Sequence, residues 1–113
     1  IAERVRAKLV LELANGPTTP EADDVFERRG ITVIPDVLAN AGGVTVSYFE
    51  WIQNLTREEW TEETVNEKLR GKMLRAWNEL LETRKAHGGT LRASAFIGAL
   101  QKIAEAMNLR GIL

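Results

Sequence analysis

The stretch KLVLELANGPTTPEAD, residues 8–23, joins an apolar run to a turn and then to the start of a helix. Residues 8–13 carry apolar side chains on both faces, which is typical of a parallel strand covered by helices on each side. Asn15-Gly16-Pro17 is a run of turn formers, and Thr19-Pro20 is a helix-start signal. The stretch therefore predicts a strand that leads through a turn into a helix.

A second apolar segment completes this unit. The helix that begins near Thr19 should end before Gly30, and residues 31–34 form a short strand rich in β-branched side chains that Pro35 stops. A strand, helix and strand in this order predict a right-handed parallel crossover. A second loop, residues 36–43, follows and carries Asn40-Ala41-Gly42-Gly43.

Helical periodicity begins after this loop and continues to the end of the chain. Residues 54–60 are expected to be a polar connection, Thr61 and Thr90 to cap two helices, and His87-Gly88-Gly89 to end the first of these. The apolar stripes of the three predicted helices are Val44, Tyr48, Trp51, Ile52 and Leu55; then Val65, Leu69, Met73, Ala76, Trp77, Leu80 and Leu81; then Ala93, Phe96, Ile97, Leu100, Ile103, Ala104 and Met107.

The predicted elements are two short parallel strands and about four helices, which places the chain in the α/β class. Two parallel strands alone do not make a stable sheet, and strands that are apolar on both faces need neighbours. The sequence therefore predicts the C-terminal part of a larger α/β domain that is incomplete alone. The first residue, Ile1, also suggests a processed or excerpted chain.

Composition narrows the functional classes. With 15 basic and 16 acidic residues the net charge is −1, so we expect no nucleic-acid partner. The chain has neither a polybasic run nor a long apolar segment, so nothing in it predicts association with a membrane. The N-terminus has no signal-peptide pattern. The chain has no cysteine, which excludes disulfides and thiolate metal sites within it and suits a cytoplasmic protein.

Both glycine-containing loops leave the carboxyl end of a predicted parallel strand, which is the edge where open α/β sheets bind ligands. Asn15 and Asn40 stand in equivalent places there, and an amide both donates and accepts, which suits the carboxamide and ribose of a nicotinamide nucleotide. Gly16, beside Asn15, would allow close backbone approach. Asn-Gly is also a common turn without a ligand, and the chain has no GxGxxG motif, so both interpretations stay open.

Two further side chains have both a functional and a structural interpretation. Ser47 follows Val44 by three positions, on the same side of a helix start, where a hydroxyl could donate to a carboxylate or simply be tolerated. His87, the single histidine, stands at a helix end, where it complements the dipole. No group of residues has metal-ligand spacing, so no metal is predicted.

Several long segments resemble the C-terminal part of the glutamate dehydrogenase family. They are LELANGPTTPEAD, GITVIPDVLANAGGVTVSYFEWIQN, WTEETVNEKL and AEAMNLRG, and the similarity covers essentially the whole chain from about residue 8. The resemblance implies part of a Rossmann-like NAD(P)-binding domain. It also implies an enzyme that deaminates L-glutamate oxidatively to 2-oxoglutarate and ammonia, with NAD or NADP as coenzyme.

The resemblance also assigns roles to residues of this chain. Asn15 and Asn40, with Gly16 beside the first, would lie at the nicotinamide end of the coenzyme, while Val44 and Ser47 would line the substrate pocket, with Ser47 reaching the side-chain carboxylate of glutamate. The family usually has glycine where this chain has Leu13, which would crowd the backbone at that edge. The family's catalytic lysines, its catalytic aspartate and its phosphate-binding loop match no position in this chain.

The resemblance implies a division of the chain into residues 1–55, the end of the dinucleotide-binding domain, and residues 56–113, C-terminal helices that pack back toward a substrate domain outside this chain. It further implies a homo-hexamer. The 113-residue segment alone is predicted to be inactive. The sequence does not show whether the coenzyme is NAD or NADP. The alternative to the enzyme interpretation is a non-enzymatic, mostly helical interaction module.

Overall fold

A computed structural model describes residues 1–112. A short 3-10 helix, Ala2–Arg4, comes first, and the remaining elements follow in the order β1 (Leu9–Leu11), α1 (Pro20–Arg28), β2 (Thr32–Ile34), α2 (Asp36–Ala39), α3 (Ala41–Thr56), α4 (Glu62–His87) and α5 (Leu91–Leu109). The α/β class and the strand-helix-strand start are confirmed.

The two strands pair in parallel, with Val10 opposite Val33 at the centre of the register. They are shorter than the predicted segments, although Glu12 extends the ladder by donating its N–H to the Ile34 carbonyl at 3.1 Å. The expected burial on both faces is wrong for this chain, because Leu9 and Leu11 are each 50% exposed. The apolar side chains are present as predicted, but the described residues do not supply cover for them.

Three of the helices begin at the threonines that the sequence marks as caps. The hydroxyl of Thr19 accepts from the Ala22 N–H at 3.3 Å, that of Thr61 from the Thr64 N–H at 3.3 Å, and that of Thr90 from the Ala93 N–H at 3.1 Å. Each bond satisfies one of the N–H groups that a helix start leaves without an internal partner.

Two predicted connections are partly helical. Residues 36–43 contain α2 and the first turn of α3, because Pro35 supplies an extended start and Asp36 an acidic first turn. The connection predicted at residues 54–60 is shorter, since α3 continues to Thr56. Arg57 ends α3 in the left-handed conformation, with φ 57° and ψ 36°.

The apolar stripes differ in what covers them. The stripe of α4 lies mainly inward, and its Leu80 is buried. Other buried apolar residues are Phe26, Ile31, Phe49 and Leu91. The stripe predicted for α3 lies mostly outward, and Phe49 is the residue of α3 that is buried instead. Helical periodicity identifies an apolar face, but it does not reveal whether the neighbour of that face lies within the chain.

Candidate functional site

The two predicted asparagines meet at the carboxyl end of the sheet. Asn40 Nδ2 donates to Asn15 Oδ1 at 2.6 Å and to the Leu13 carbonyl at 3.2 Å. These bonds use both N–H groups of the Asn40 amide. Within residues 1–112, Asn15 Nδ2 and Asn40 Oδ1 have no hydrogen-bond partner, so this edge presents one free donor and one free acceptor from a fixed pair of amides.

Gly16 lies directly beside this pair. Its φ of 57° is in the left-handed region, which glycine adopts without the strain of a Cβ. Its N–H donates to Asp36 Oδ2 at 2.7 Å, which ties the first loop to the start of α2. Apart from its two chain neighbours, no residue has a heavy atom within 4 Å of the position that a Cβ would take, so the loop is open on that side.

The start of α3 lies at the same edge and differs from the other long helices. Asn40 occupies its N-cap position, but the Asn40 side chain makes no capping bond because it is directed to Asn15 and Leu13. In contrast, α1, α4 and α5 each have a threonine cap. The first N–H groups of α3 therefore lack the side-chain cap that the other helices have, and a helix start of this kind favours partial negative charge.

Val44 and Ser47 lie on the first turns of α3, beyond this uncapped end. Val44 is 70% exposed, and Ser47 is exposed while its hydroxyl donates to the Gly43 carbonyl at 3.2 Å. A hydroxyl that bonds only to the preceding turn can turn to a ligand without leaving a buried group unpaired. The structure thus places both predicted substrate residues on one open helix face.

Leu13 does not distort the loop. Its side chain is 67% exposed, and among residues 1–112 the one non-glycine residue with positive φ is Arg57. Its carbonyl anchors Asn40, a backbone role that any residue can fill. The leucine side chain nevertheless adds apolar bulk next to the proposed coenzyme edge.

An ion-pair network that the sequence pattern does not predict lies behind the loops. The guanidinium of Arg92, on α5, donates from Nη2 to Glu12 Oε1 at 2.7 Å and from Nε to Asp23 Oδ2 at 2.5 Å. Its Nη1 also lies 3.5 Å from Asp36 Oδ1. The available signals were an acidic residue within an apolar strand and a basic residue in the first turn of a helix, where the dipole disfavours it.

The network changes the pKa of Glu12 and that of Arg92. Hydrogen bonding from Arg92 lowers the pKa of Glu12, and this effect outweighs the burial that opposes it. Hydrogen bonds to Glu12 and Asp23 raise the pKa of the Arg92 guanidinium. These groups therefore remain ionised at neutral pH although Glu12 is only 2% exposed.

Other features of the described residues do not add to this site. A cleft of about 420 Å³ lies between α1, the start of β2 and the α4–α5 turn, and neither asparagine lines it. Within residues 1–112, no group of three or more His, Cys, Asp or Glu side chains could hold a metal ion. No helix in that range is long and apolar enough to cross a bilayer. His87 lies in the last turn of α4, just before the Gly88 cap.

Comparisons with known proteins identify the family that this chain is similar to. The family model described as Glutamate/Leucine/Phenylalanine/Valine dehydrogenase matches residues 1–111. The chain is 52% identical over 111 residues to the NAD-specific glutamate dehydrogenase of Clostridioides difficile, covering 98% of this chain and 26% of that protein. It is 50% identical over 107 residues to the NADP-specific glutamate dehydrogenase A1 of Halobacterium salinarum, covering 94% of this chain and 26% of that protein.

A solved structure gives the same result for the fold. The crystal structure of glutamate dehydrogenase from Peptoniphilus asaccharolyticus superposes with a TM-score of 0.95 at 46% identity, covering 99% of this chain and 28% of that one. The chain therefore spans about a quarter of the length of the relatives it matches.

Proposed function

Because the chain belongs to the glutamate/leucine/phenylalanine/valine dehydrogenase family, we propose that it is the C-terminal segment of an NAD- or NADP-dependent glutamate dehydrogenase. The whole protein would convert L-glutamate to 2-oxoglutarate and ammonia. The observation that carries this proposal is the Asn15–Asn40 pair, which lies beside the uncapped start of α3, with Ser47 in the second turn of that helix.

The residues at this edge fit a nicotinamide nucleotide. A carboxamide presents a carbonyl acceptor and an amide NH₂ donor group, and the free Asn15 Nδ2 and Asn40 Oδ1 complement both. Gly16 leaves room for close approach, as its open surroundings indicate. The coenzyme, when bound, accepts the hydride. We propose that Asn15, Gly16 and Asn40 orient its nicotinamide end, so that donor and acceptor meet in reactive geometry.

We propose that Val44 and Ser47 contact the substrate. The Ser47 hydroxyl would donate to the side-chain carboxylate of glutamate, and the start of α3 would favour that anion. Val44, largely exposed on the same face, would pack against the methylene groups of the substrate. Residues that perform the proton transfers belong to parts of the protein outside this chain, so this segment would supply one wall of the site.

The division of the chain is also a proposal. Residues 1–55 would end the dinucleotide-binding domain, and residues 56–113 would pack toward the substrate domain; residue 113 lies outside the described residues. We also propose, from the family resemblance, that the whole protein is a homo-hexamer and lies in the cytoplasm. The alternative of a non-enzymatic module would require a closed core, which the exposed stripes of α3 and α5 do not favour.

The Ser47→Ala variant of the full-length protein tests this proposal. Loss of a hydrogen bond to a charged group costs about 1.5–3 kcal/mol, so the KM for glutamate should rise about tenfold or more, with little change in thermal stability. Thr56→Ala is the matched control, because Thr56 is also an exposed hydroxyl on α3 that bonds to the carbonyl four residues earlier. An unchanged KM for glutamate in the Ser47 variant, or an equal rise in the control, would contradict the assignment.

A further inference from the structure

Arg92 makes contacts that its position in the sequence does not suggest. It stands in the first turn of α5, two residues after the Thr90 cap, yet its guanidinium meets carboxylates at the end of β1, in the first turn of α1 and at the start of α2. These partners precede Arg92 by 56 to 80 positions in the chain, and Glu12, at 80 positions, is the most distant. One cation therefore joins the last helix to β1, α1 and α2.

The geometry of the network requires this cation. Glu12 is buried, and Asp23 and Asp36 both lie at helix starts beside it, so three carboxylates converge on one point. Like charges at short range repel, and only a group with several donors in one plane can satisfy them together. Arg92 meets this requirement because Nε donates to Asp23, Nη2 donates to both Glu12 and Asp23, and Nη1 lies 3.5 Å from Asp36 Oδ1 as an ion pair. Its side chain is only 23% exposed.

A short chain of contacts leads from Arg92 to the proposed coenzyme edge. Asp36 Oδ1 faces Arg92, and Asp36 Oδ2 accepts from the Gly16 N–H. The backbone N–H of Asp36 donates to Glu12 Oε2 at 3.0 Å, which fixes the first residue of α2. The residue after α2 is Asn40, whose amide bonds to Asn15. Both loops of the edge are thus tied to Arg92 through Asp36.

We propose that Arg92 is a positioning residue for the coenzyme edge, which holds Asp36 and Glu12 so that Gly16, Asn15 and Asn40 present one fixed arrangement. This inference rests on the proposed function. Arg92 lies behind the loops and does not itself line the edge, so its effect passes through Asp36. Its loss should weaken coenzyme binding more than glutamate binding, since Ser47 lies on α3 outside the network.

The experiment uses the full-length protein and compares Arg92→Lys, Arg92→Met and Lys102→Met. Lysine keeps the charge but cannot direct three planar donors, so Arg92→Lys should fold and raise the KM for the coenzyme at least threefold; Arg92→Met should raise it about tenfold. The KM for glutamate should change less than twofold. Lys102→Met is the matched control, because Lys102 also forms an ion pair from α5, with Glu79, but on the exposed α4–α5 surface.

Hydrogen exchange provides a second measurement, which reports on how firmly the loop at Gly16 is held. Hydrogen exchange in the peptide that contains Gly16 should become faster in Arg92→Lys, because the Gly16 N–H is bonded to Asp36. If both Arg92 variants leave the coenzyme KM and this exchange unchanged, or if Arg92→Lys raises the two KM values equally, Arg92 has only a structural role and the proposal is wrong. If the unmodified protein does not reduce NAD or NADP with glutamate, the proposed function fails, and the exchange rate alone then decides whether Arg92 positions the loop.

Discussion

At the scale of single residues, Glu12 shows how one carboxylate organises this edge of the molecule. It stands within an apolar strand segment, is almost fully buried, and still remains ionised because Arg92 and the Asp36 N–H both donate to it. A buried carboxylate without such partners would cost several kcal/mol, about the stability margin of a small protein. Glu12 is therefore stabilising only as long as its partners are present.

This dependence predicts a pH effect in the full-length protein. The pKa of Glu12 is lowered in the folded state, so its stabilisation is complete above the ordinary glutamate value of about 4.3 and is lost as the pH falls through the lowered folded value. At pH 7, Glu12→Gln should lower the free energy of unfolding by about 2 kcal/mol. Thermal unfolding between pH 7 and pH 3 measures the difference.

The free energies of unfolding of Glu12→Gln and of the unmodified protein should approach each other only in the acidic part of that range. Glu12 loses its charge there, whereas the glutamine side chain does not titrate. Glu59→Gln serves as the control, since Glu59 is an exposed side chain and its replacement should matter little at any pH. A constant difference between Glu12→Gln and the unmodified protein from pH 7 to pH 3 would contradict the role given to Glu12.

The sequence predicted the loop residues better than the network. Asn15 and Asn40 could be placed together because the carboxyl ends of adjacent parallel strands share one edge, and the structure brings their amides to 2.6 Å. Glu12 and Arg92 could not be paired, since they are 80 positions apart and periodicity carries no information on partners at that distance. The roles of Asn15, Gly16, Asn40, Val44 and Ser47 in binding remain predictions.

At the scale of elements, the end of α3 combines a standard helix stop with an unusual residue. The Glu58 N–H donates to the Gln53 carbonyl at 3.1 Å across Arg57, which is the geometry of a Schellman motif. Arg57 adopts φ 57°, where glycine is the usual residue. A side chain with a Cβ costs about 1–2 kcal/mol in this conformation.

Arg57→Gly should therefore stabilise the helix end. Glycine removes the steric cost but loses about 0.5–1 kcal/mol of entropy on folding, so the net gain should be at most about 1.5 kcal/mol. Slower hydrogen exchange of the amides of residues 57 and 58 in the full-length protein would show it. Arg57→Ala is the control, because alanine keeps the Cβ and should bring no gain; equal exchange rates in the two variants would argue against strain at this position.

The ends of the helices could be predicted from the sequence more fully than the burial of their faces. The three threonine caps and the Gly88 stop were predictable because each depends on neighbouring residues alone. The outward stripe of α3 and the half-exposed strand residues were not, because burial depends on elements that pack from elsewhere in the protein. Local chemistry thus determined where helices begin, whereas the packing partners lie beyond the reach of a periodic pattern.

At the scale of the whole molecule, the segment is too open for a self-contained domain. Its accessible surface is 8533 Å², whereas a folded monomer of 12.6 kDa exposes about 6,200 Å². Its radius of gyration is 16.9 Å, against about 13 Å for a compact chain of this length. The excess surface includes large apolar side chains of α3 and α5: Val44, Tyr48, Trp51, Leu55, Phe96, Leu100 and Ile103.

This openness predicts the behaviour of the isolated 113-residue polypeptide. Residues 1–112 alone leave apolar helix faces uncovered, and apolar patches of this extent cause association. Sedimentation should therefore show species larger than the 12.6 kDa monomer. The polypeptide should also produce no NADH or NADPH from glutamate, because hydride transfer needs both reactants held together and, under the proposed function, this segment supplies one wall of the site. The full-length protein at equal molar concentration is the control. A glutamate-dependent signal from the isolated segment would show that the proposed division of the active site is wrong, since the groups that transfer protons would then have to lie within these 113 residues.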